Sequence, residues 1–286
     1  MVKKIGLGLG LIFLWASCPG GETDLENGDT WNDIREQGSG TLIVHYVPSE
    51  GFSYEDDTGE LTGVTIDIIR EFIQWAETEY RVEITASFVP EESFSRFYRN
   101  VAGADQGVIG MANVTITEER REELDFSPPY MQNIAVLITH DSIDELESFD
   151  RLNEQFAGMQ ALAFEGTLHQ ERLEQIRDRY HPDLDILMGH SNDEILNRVA
   201  VDPSLFAYID IYNYWRAAKR GGPVRRHPVG DDAAEEFGYI LPPGSDWTPL
   251  MQEFFERNDG FTASDAYREI MNRHLGAELA NLLLDP

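Results

Sequence analysis

The chain has 286 residues, 42% of them hydrophobic, so it is long enough to bury a sizeable core in one or two domains. Its 52 acidic and 22 basic residues give a formal net charge of −30, which argues against nucleic acid or an anionic membrane surface as a partner. Two interpretations of this charge remain open. The surface is either an ordinary solvated one or adapted to high salt, in which self-repulsion between the acidic groups is screened.

The N-terminal segment has the pattern of a secretion signal rather than of a folded element. Two lysines precede an apolar run over residues 5–15 that is too short to span a membrane comfortably. Small residues then precede Cys18, the only cysteine, so no internal disulfide can form. The segment "WASC" resembles the lipobox of bacterial lipoproteins, which implies a signal peptide over 1–18 and a lipid anchor at Cys18. The alternative is an ordinary signal peptide with an incidental cysteine, and in either case the polar stretch 19–37 is predicted to be a flexible tether.

Strands and helices alternate along the rest of the chain. Alternating or β-branched apolar runs predict a first series of strands over 41–47, 81–89 and 106–112, with helices over 63–80 and 92–104 between them. A second series has predicted strands over 158–166, 183–189 and 204–210, with helices over 167–181 and 192–202. Strands separated by helices of this length indicate parallel sheets, and two series indicate two α/β lobes. A further strand near 237 is compatible with either lobe.

Five short motifs stand in an order that resembles one protein family. They are "GELTGVTIDIIREF" (59–72), "AGADQGVIGMANVTITEERREELDFSPPY" (102–130), "AFEGTLHQ" (163–170), "FAYID" (206–210) and "FGYILPPGSDW" (237–247). The chain resembles, from about 40 to 284, the extracytoplasmic solute-binding proteins of the polar amino-acid type, relatives of the ligand-binding cores of ionotropic glutamate receptors.

The resemblance implies a periplasmic-binding-protein-like fold, with two α/β lobes of mixed, mostly parallel sheet that close around a ligand by hinge motion. Lobe 1 is expected over 38–135 plus 237–286 and lobe 2 over 136–236. The two crossover strands are expected over 133–140 and 237–241.

By this resemblance, one lobe binds the α-carboxylate of an amino acid. Arg120 would bind it bidentately, since a guanidinium presents paired donors in the plane that a carboxylate requires. Thr115 would add its hydroxyl and backbone N–H, and Asn113 would offer its carbonyl to the ligand's ammonium group. The alternative for Arg120 is an ion pair with Glu118 or Glu123 on a solvated face.

The other lobe would bind the ligand from the opposite side. Gly166 and Thr167 stand where a strand turns into a helix, which leaves free backbone N–H groups. Leu168 occupies a position at which the family usually has a second threonine, so one hydroxyl contact is missing. Asp210 would pair with the ammonium group. The alternative for both Thr167 and Asp210 is a role as a helix cap. An arginine that faces an aspartate across a cleft, however, suits the carboxylate and the ammonium group of a zwitterion.

Other candidates rest on weaker signals. The aromatic residues Tyr46, Phe52 and Tyr54 are candidates to pack on the ligand, although Ser49 competes with Tyr46 for one position and Phe52 also fits a core role. Glu165 either recognises a basic ligand side chain or is a solvated surface residue.

The expected function is that of a binding protein. We find no histidine pair at metal-ligand spacing, no nucleophile elbow and no phosphate loop, so we expect no catalytic residue, metal or cofactor. The expectation is a monomeric, lipid-anchored, extracytoplasmic protein that presents a small amino-acid-like ligand to an ABC permease. The alternatives are a dehydratase-like enzyme of the same fold, which would use cleft carboxylates, and a sensor or scaffold lipoprotein. The sequence does not identify the ligand.

Overall fold

The computed structural model describes residues 27–284. Its first half contains α1 (Trp31–Gln37), β1 (Ser39–Tyr46), β2 (Tyr54–Glu55), β3 (Leu61–Thr62), α2 (Val64–Tyr80), β4 (Glu83–Pro90), α3 (Phe94–Ala102), β5 (Val108–Thr115), α4 (Glu118–Arg121), β6 (Asp125–Phe126) and β7 (Met131–His140). Its second half contains α5 (Leu152–Gln155), β8 (Gln160–Phe164), α6 (Leu168–Tyr180), β9 (Ile186–Gly189), α7 (Asn192–Val201), β10 (Leu205–Asp210), α8 (Ile211–Lys219), β11 (Val224–Leu241), α9 (Trp247–Glu256), α10 (Asp265–Leu275) and α11 (Ala277–Leu284).

The strands form two parallel groups joined by an antiparallel pair. The order along the main sheet is β4-β1-β5-β11-β7-β10-β8-β9, and β6 pairs with β11. Strands β4, β1 and β5 are parallel to one another and define lobe 1, whereas β10, β8 and β9 are parallel and define lobe 2. Because β7 and β11 are antiparallel to each other and to their outer neighbours, they form the crossing between the lobes. The predicted α/β fold class and the alternation of elements are confirmed.

The helices pack through the apolar faces that their sequences predict. In α2 the residues at helical spacing, Ile66, Ile69, Phe72 and Ala76, are all fully buried. Such a stripe must lie against another layer, and here it joins the core between the sheet and the C-terminal helices.

The return crossing is longer than the sequence predicts. The sequence predicts a strand over 237–241, but β11 begins at Val224 and spans 18 residues. Residues 224–237 pair with β7, and the register shifts between His227 and Asp232 and again between Asp232 and Glu235. These irregularities interrupt the period-two pattern, and the run of acidic residues before 237 further obscures it.

The predicted tether requires a correction. Thr30 accepts a hydrogen bond from the Asp33 N–H and thereby caps α1, in which Trp31 and Ile34 are buried. The Trp31 ring lies 5.5 Å from that of Trp247, so residues 31–37 belong to the folded core. The signal peptide, Cys18 and the first part of the tether lie outside the described residues. None of the helices in the described part of the chain is long and apolar enough to cross a membrane.

The two lobes are in contact, so the cleft between them is closed. Gly51, after β1, has φ +84°, and a β-carbon there would collide with the hydroxyl of Tyr212 in α8. The rings of Phe52 and Tyr212 pack edge to face with centroids 5.0 Å apart. On the opposite side of the cleft, a β-carbon at Gly166 would collide with the hydroxyl of Ser95 in α3.

Candidate functional site

A cavity of about 90 Å³ lies in the closed cleft. Its lining combines aromatic and aliphatic walls with a few polar and charged groups, as small-ligand sites do. The apolar lining residues are Val47, Pro48, Phe94, Ala112, Phe164, Leu168 and Phe237. The polar and charged ones are Ser49, Glu50, Asn113, Thr115, Arg120, Thr167, His169, Ser191, Asn192, Asp193, Asp210, Asn213, Arg216 and Glu235.

Arg120 is held at the cavity by hydrogen bonds from its backbone and from its side chain. The hydroxyl of Thr117 accepts a hydrogen bond from the Arg120 backbone N–H at 3.2 Å and so caps α4, as the sequence predicts. From the side chain, Arg120 Nη1 donates to the backbone carbonyl of Thr115 at 3.0 Å. The guanidinium carbon lies 5.7 Å from the ring centroid of Phe94 and 5.9 Å from that of Tyr98, so two aromatic rings restrict its position.

No carboxylate neutralises Arg120 within the described residues. Glu123, one of the two partners that the alternative interpretation requires, instead accepts a hydrogen bond from the Tyr98 hydroxyl at 2.9 Å. Burial lowers the pKa of the Arg120 guanidinium, and the charges of surrounding groups, including Glu235, act against that shift. A half-buried cation that forms no ion pair favours the binding of an anion beside it.

Thr115 and Asn113 lie beside this guanidinium on β5. Thr115 is the last residue of the strand and is buried. Asn113 has φ +52°, a conformation that asparagine adopts more readily than most residues, and its side-chain Oδ1 accepts a hydrogen bond from the Tyr130 hydroxyl. The pairing of β5 with β11 shifts register at this point, so the strand bends at the cavity wall.

The turn from β8 into α6 brings Thr167 to the opposite wall. Its hydroxyl donates to the carbonyl of Phe164 at 2.8 Å and makes no side-chain cap to the helix. Gly166 has φ +76°, and its N–H donates to the side chain of Gln170. Gly166 does not line the main cavity but an adjoining depression, which Arg120 and Leu168 also line.

Asp210 ends β10 and lies at the part of the cavity nearest the crossing strands. Its Oδ1 accepts hydrogen bonds from Asn133 Nδ2 at 2.7 Å and from His169 Nε2 at 3.1 Å. The carboxylate makes no side-chain cap to α8, and its side chain is 13% exposed. Asp210 is therefore held in place by neutral or weakly basic donors and not by an arginine or lysine.

Sequence reasoning missed the residues that surround Asp210. Asn133 Nδ2 also donates to Glu235 Oε2 at 2.6 Å, and Glu235 Oε1 lies 2.6 Å from Arg172 Nη2. Arg172 further donates to Asp232 at 2.8 Å. Burial alone would lower the pKa of Arg172, but the two carboxylates outweigh it and raise that pKa.

The mouth of the cavity has a second arginine that the sequence did not single out. Arg216 of α8 donates to Glu50 at 2.5 Å and pairs with Asp193 of α7. Arg220 donates to the other oxygen of Glu50 at 2.5 Å. Arg216 lies in α8 and Arg220 directly follows it, whereas Glu50 follows β1 of lobe 1, so the two ion pairs of Glu50 cross the cleft.

The weaker candidates lie in different places. Ser49 lines the cavity, whereas Tyr46 is buried in the core and borders only an adjoining depression. Phe52 is 2% exposed and packs in the core. The Glu165 side chain is 53% exposed, and His190 Nδ1 lies 3.1 Å from its carboxylate, away from the cavity. Residues 27–284 contain no cluster of three histidine, cysteine or acidic side chains suited to a metal ion.

Comparisons with known proteins agree with this architecture. Residues 42–277 match the model of the bacterial extracellular solute-binding proteins, family 3. The amino-acid-binding protein AabA of Dichelobacter nodosus is 24% identical over 137 residues, which are 48% of this chain and 49% of that protein. The chain therefore matches only about half the length of this relative.

Two solved structures show the same fold. A substrate-binding protein of an ABC uptake transporter from Streptococcus pneumoniae, with bound histidine, has a TM-score of 0.66 at 18% identity and covers 86% of this chain and 96% of its own. The ancestral amino acid-binding protein AncCDT-1, a precursor of cyclohexadienyl dehydratase, has a TM-score of 0.64 at 22% identity. The match covers 85% of this chain and 98% of AncCDT-1. Since the family model spans most of the chain, the protein belongs to the bacterial extracellular solute-binding proteins of family 3.

Proposed function

We propose that the protein captures a small amino acid as a zwitterion in the closed cleft and presents it to an ABC importer. The observation that carries the proposal is Arg120, a half-buried guanidinium without a carboxylate partner among the described residues, in the same cavity as Asp210. Arg120 would bind the α-carboxylate bidentately, with Thr115 and Thr167 beside it, and Asp210 would bind the ammonium group. Ligand groups on both walls would favour the closed state over the open one.

The cavity volume favours a compact ligand. A space of about 90 Å³ equals the volume of about three waters in the liquid, which leaves room for a small ligand and not for a long one. The apolar side chains of Phe94, Phe164 and Phe237 would pack on the part of the ligand between its charged groups.

The remaining features of the proposal rest on sequence and on relatives. We place the lobe boundaries at 38–135 plus 237–286 and at 136–236, and the anchor to the membrane at Cys18. An amino acid as ligand is supported by the name of AabA, and an ABC importer by the transporter association of the Streptococcus pneumoniae protein. We further propose that the protein acts as a monomer.

A catalytic role is the alternative that experiment must separate from binding. AncCDT-1 is described as a precursor of a dehydratase, and carboxylates, the groups that the dehydratase alternative requires, line the cavity of this chain. We propose binding alone: the ligand incubated with the protein should be recovered unchanged. The exposed large hydrophobic side chains, Met188, Val201, Val229 and Leu282, lie on four different elements and give the scaffold alternative no specific support.

The test is thermal unfolding of the protein without residues 1–18, in high salt, against the twenty amino acids and common polyamines. A ligand at a hundred times its dissociation constant stabilises by about 2.7 kcal/mol, which raises the melting temperature by about 5–10 °C. A shift with one chemical group of amino acids supports the proposal. No shift with any amino acid contradicts it.

A further inference from the structure

We propose that Glu235 is a second carboxylate of the ammonium subsite, so that the site selects ligands with a primary ammonium group over ligands that carry a neutral group in its place. The inference rests on the proposed function and goes beyond it, because it assigns this selectivity to a residue of the second crossing strand. It starts from the pair that Glu235 forms with Asp210 through one amide group.

The two carboxylates lie close together because they share a donor. Asn133 Nδ2 donates to Asp210 Oδ1 at 2.7 Å and to Glu235 Oε2 at 2.6 Å, so the two acceptors are separated by no more than these two bonds placed end to end. Glu235 lies directly opposite Asn133 in the pairing of β11 with β7, and it is 4% exposed. Asp210 and Glu235 both line the cavity.

Both carboxylates retain capacity to accept hydrogen bonds from a ligand. A carboxylate has about four lone-pair sites. The described residues donate to Asp210 only at Oδ1, and Glu235 has one contact at each oxygen. A primary ammonium group has three N–H donors, so it can bind both carboxylates and still donate to lobe 1.

The charge balance at this end of the cavity favours a cation. The two cavity-lining carboxylates, those of Asp210 and Glu235, face one guanidinium, that of Arg172, and one imidazole, that of His169. Arg172 also pairs with Asp232, which does not line the cavity and whose side chain is 45% exposed, so with a neutral imidazole the groups at the cavity carry one negative charge in excess. Because the side chains of Asp210 and Glu235 are only 13% and 4% exposed, this excess stabilises a cation and disfavours a neutral group.

The experiment compares an amino acid with the 2-hydroxy acid that has the same side chain. The amino acid is the one that stabilises the wild-type protein most in thermal unfolding. Dissociation constants for both compounds are measured by calorimetry in the wild type and in Glu235→Gln. The matched control is Asp232→Asn, which removes the other carboxylate partner of Arg172 but does not alter a cavity-lining residue.

The expected result is a change of selectivity and not only of affinity. Glu235→Gln should weaken binding of the amino acid about tenfold to hundredfold, since a hydrogen bond to a charged group is lost. Binding of the hydroxy acid should change much less. The selectivity ratio, defined as the dissociation constant of the hydroxy acid divided by that of the amino acid, should therefore fall at least about tenfold. Asp232→Asn should leave that ratio nearly unchanged.

Two results would overturn the inference without affecting the proposed function. One is an unchanged ratio in Glu235→Gln, which a purely structural role would give. The other is an equal fall of the ratio in Asp232→Asn, which would assign the effect to Arg172. If Glu235→Gln does not fold, Glu235→Asp serves instead. Its shorter side chain moves the carboxylate away from the ligand's ammonium group, so the ratio should fall. An unchanged ratio in Glu235→Asp counts against the inference. A wild type that binds no amino acid overturns both proposals.

Discussion

The two ends of the cleft hold their charges in opposite ways. At the hinge end, defined here as Asn133, Asp210, Glu235 and Arg172, the side chains of Asp210 and Glu235 are 13% and 4% exposed. At the mouth, defined as Glu50, Asp193, Arg216 and Arg220, the side chains of Glu50, Asp193 and Arg220 are 39%, 64% and 65% exposed, and only that of Arg216, at 10%, is largely buried. The first group is buried and tied to the crossing strands, whereas the second has solvent-exposed carboxylates and joins the lobes at their rim.

This difference assigns the two ends different roles. Removing one partner of a buried charged group leaves the other without solvent or counter-charge, which costs about 3–5 kcal/mol. An exposed ion pair contributes only about 0–1 kcal/mol and weakens as salt rises. The hinge end should therefore determine which ligand binds, and the mouth should only adjust how readily the cleft opens.

The largest effect is expected at Arg120, which lines the cavity and belongs to neither group. Arg120→Ala should cost about 2–5 kcal/mol of ligand binding because the ligand carboxylate would lose a charged partner in a dry site. The control is Arg121→Ala, since the neighbouring Arg121 is exposed and lies over Phe126. Calorimetry with the best amino acid measures both variants. Wild-type affinity in Arg120→Ala would remove this residue from the site.

A second prediction concerns the stability that Asn133 gives to the hinge end. Asn133→Leu should lower the free energy of unfolding by about 3 kcal/mol because two buried carboxylates would lose their shared donor. Urea unfolding measures the change, and Asn197→Leu, at an exposed position of α7, provides the control. Equal stability of the two variants would show that the hinge-end contacts contribute little.

A third prediction separates stability from binding as the pH falls. His227 is fully buried on β11 outside the cavity, where its Nδ1 accepts from the Leu146 N–H and its Nε2 contacts the Thr139 hydroxyl. Burial lowers the pKa of His227 to about 4. The folded state therefore holds this imidazole neutral while the unfolded state takes up a proton below about pH 6.5, so the stabilisation is complete above pH 6.5 and is lost as the pH falls towards 4.

From pH 7 to pH 5 this group should remove about 2 kcal/mol from the free energy of unfolding. Urea unfolding at both values should show this loss in the wild type. His227→Asn retains an acceptor for Leu146 but does not titrate, so its loss over the same range should be smaller by that amount. Identical pH dependence in the two proteins would contradict the assignment.

The smallest effect is expected at the mouth. Glu50→Gln breaks the pairs with Arg216 and Arg220 and should weaken ligand binding by less than about 1 kcal/mol, mainly through faster dissociation. Stopped-flow measurements at low and high salt should show a wild-type rate that rises with salt and a variant rate that does not. Glu147→Gln, which breaks the exposed pair with Arg151, should change neither rate.

Much of the fold could be predicted because its signals are local. The apolar spacing in α2, the Thr117 cap and the succession of strands and helices along the chain each depend on residues that are close together in sequence. The position of Arg120 beside the carbonyl of Thr115 follows from the same local pattern, a strand end five residues before the arginine.

The hinge end could not be predicted because it depends on pairing across long stretches of chain. Asn133 opens the predicted first crossing, and Glu235 comes two residues before the predicted second one. Had that second strand been extended back by two residues, its alternation would have placed Glu235 on the face of Phe237. The register that sets Glu235 opposite Asn133 is a tertiary fact, and the bulges before it conceal the strand.

The most direct test is a crystal structure of the complex with the amino acid that stabilises the protein most. The account predicts the ligand carboxylate on Arg120, its ammonium group between Asp210 and Glu235, and Arg216 still paired with Glu50. A carboxylate bound to Arg216, or an ammonium group held by Glu50 and Asp193, would contradict the assignment of recognition to the hinge end.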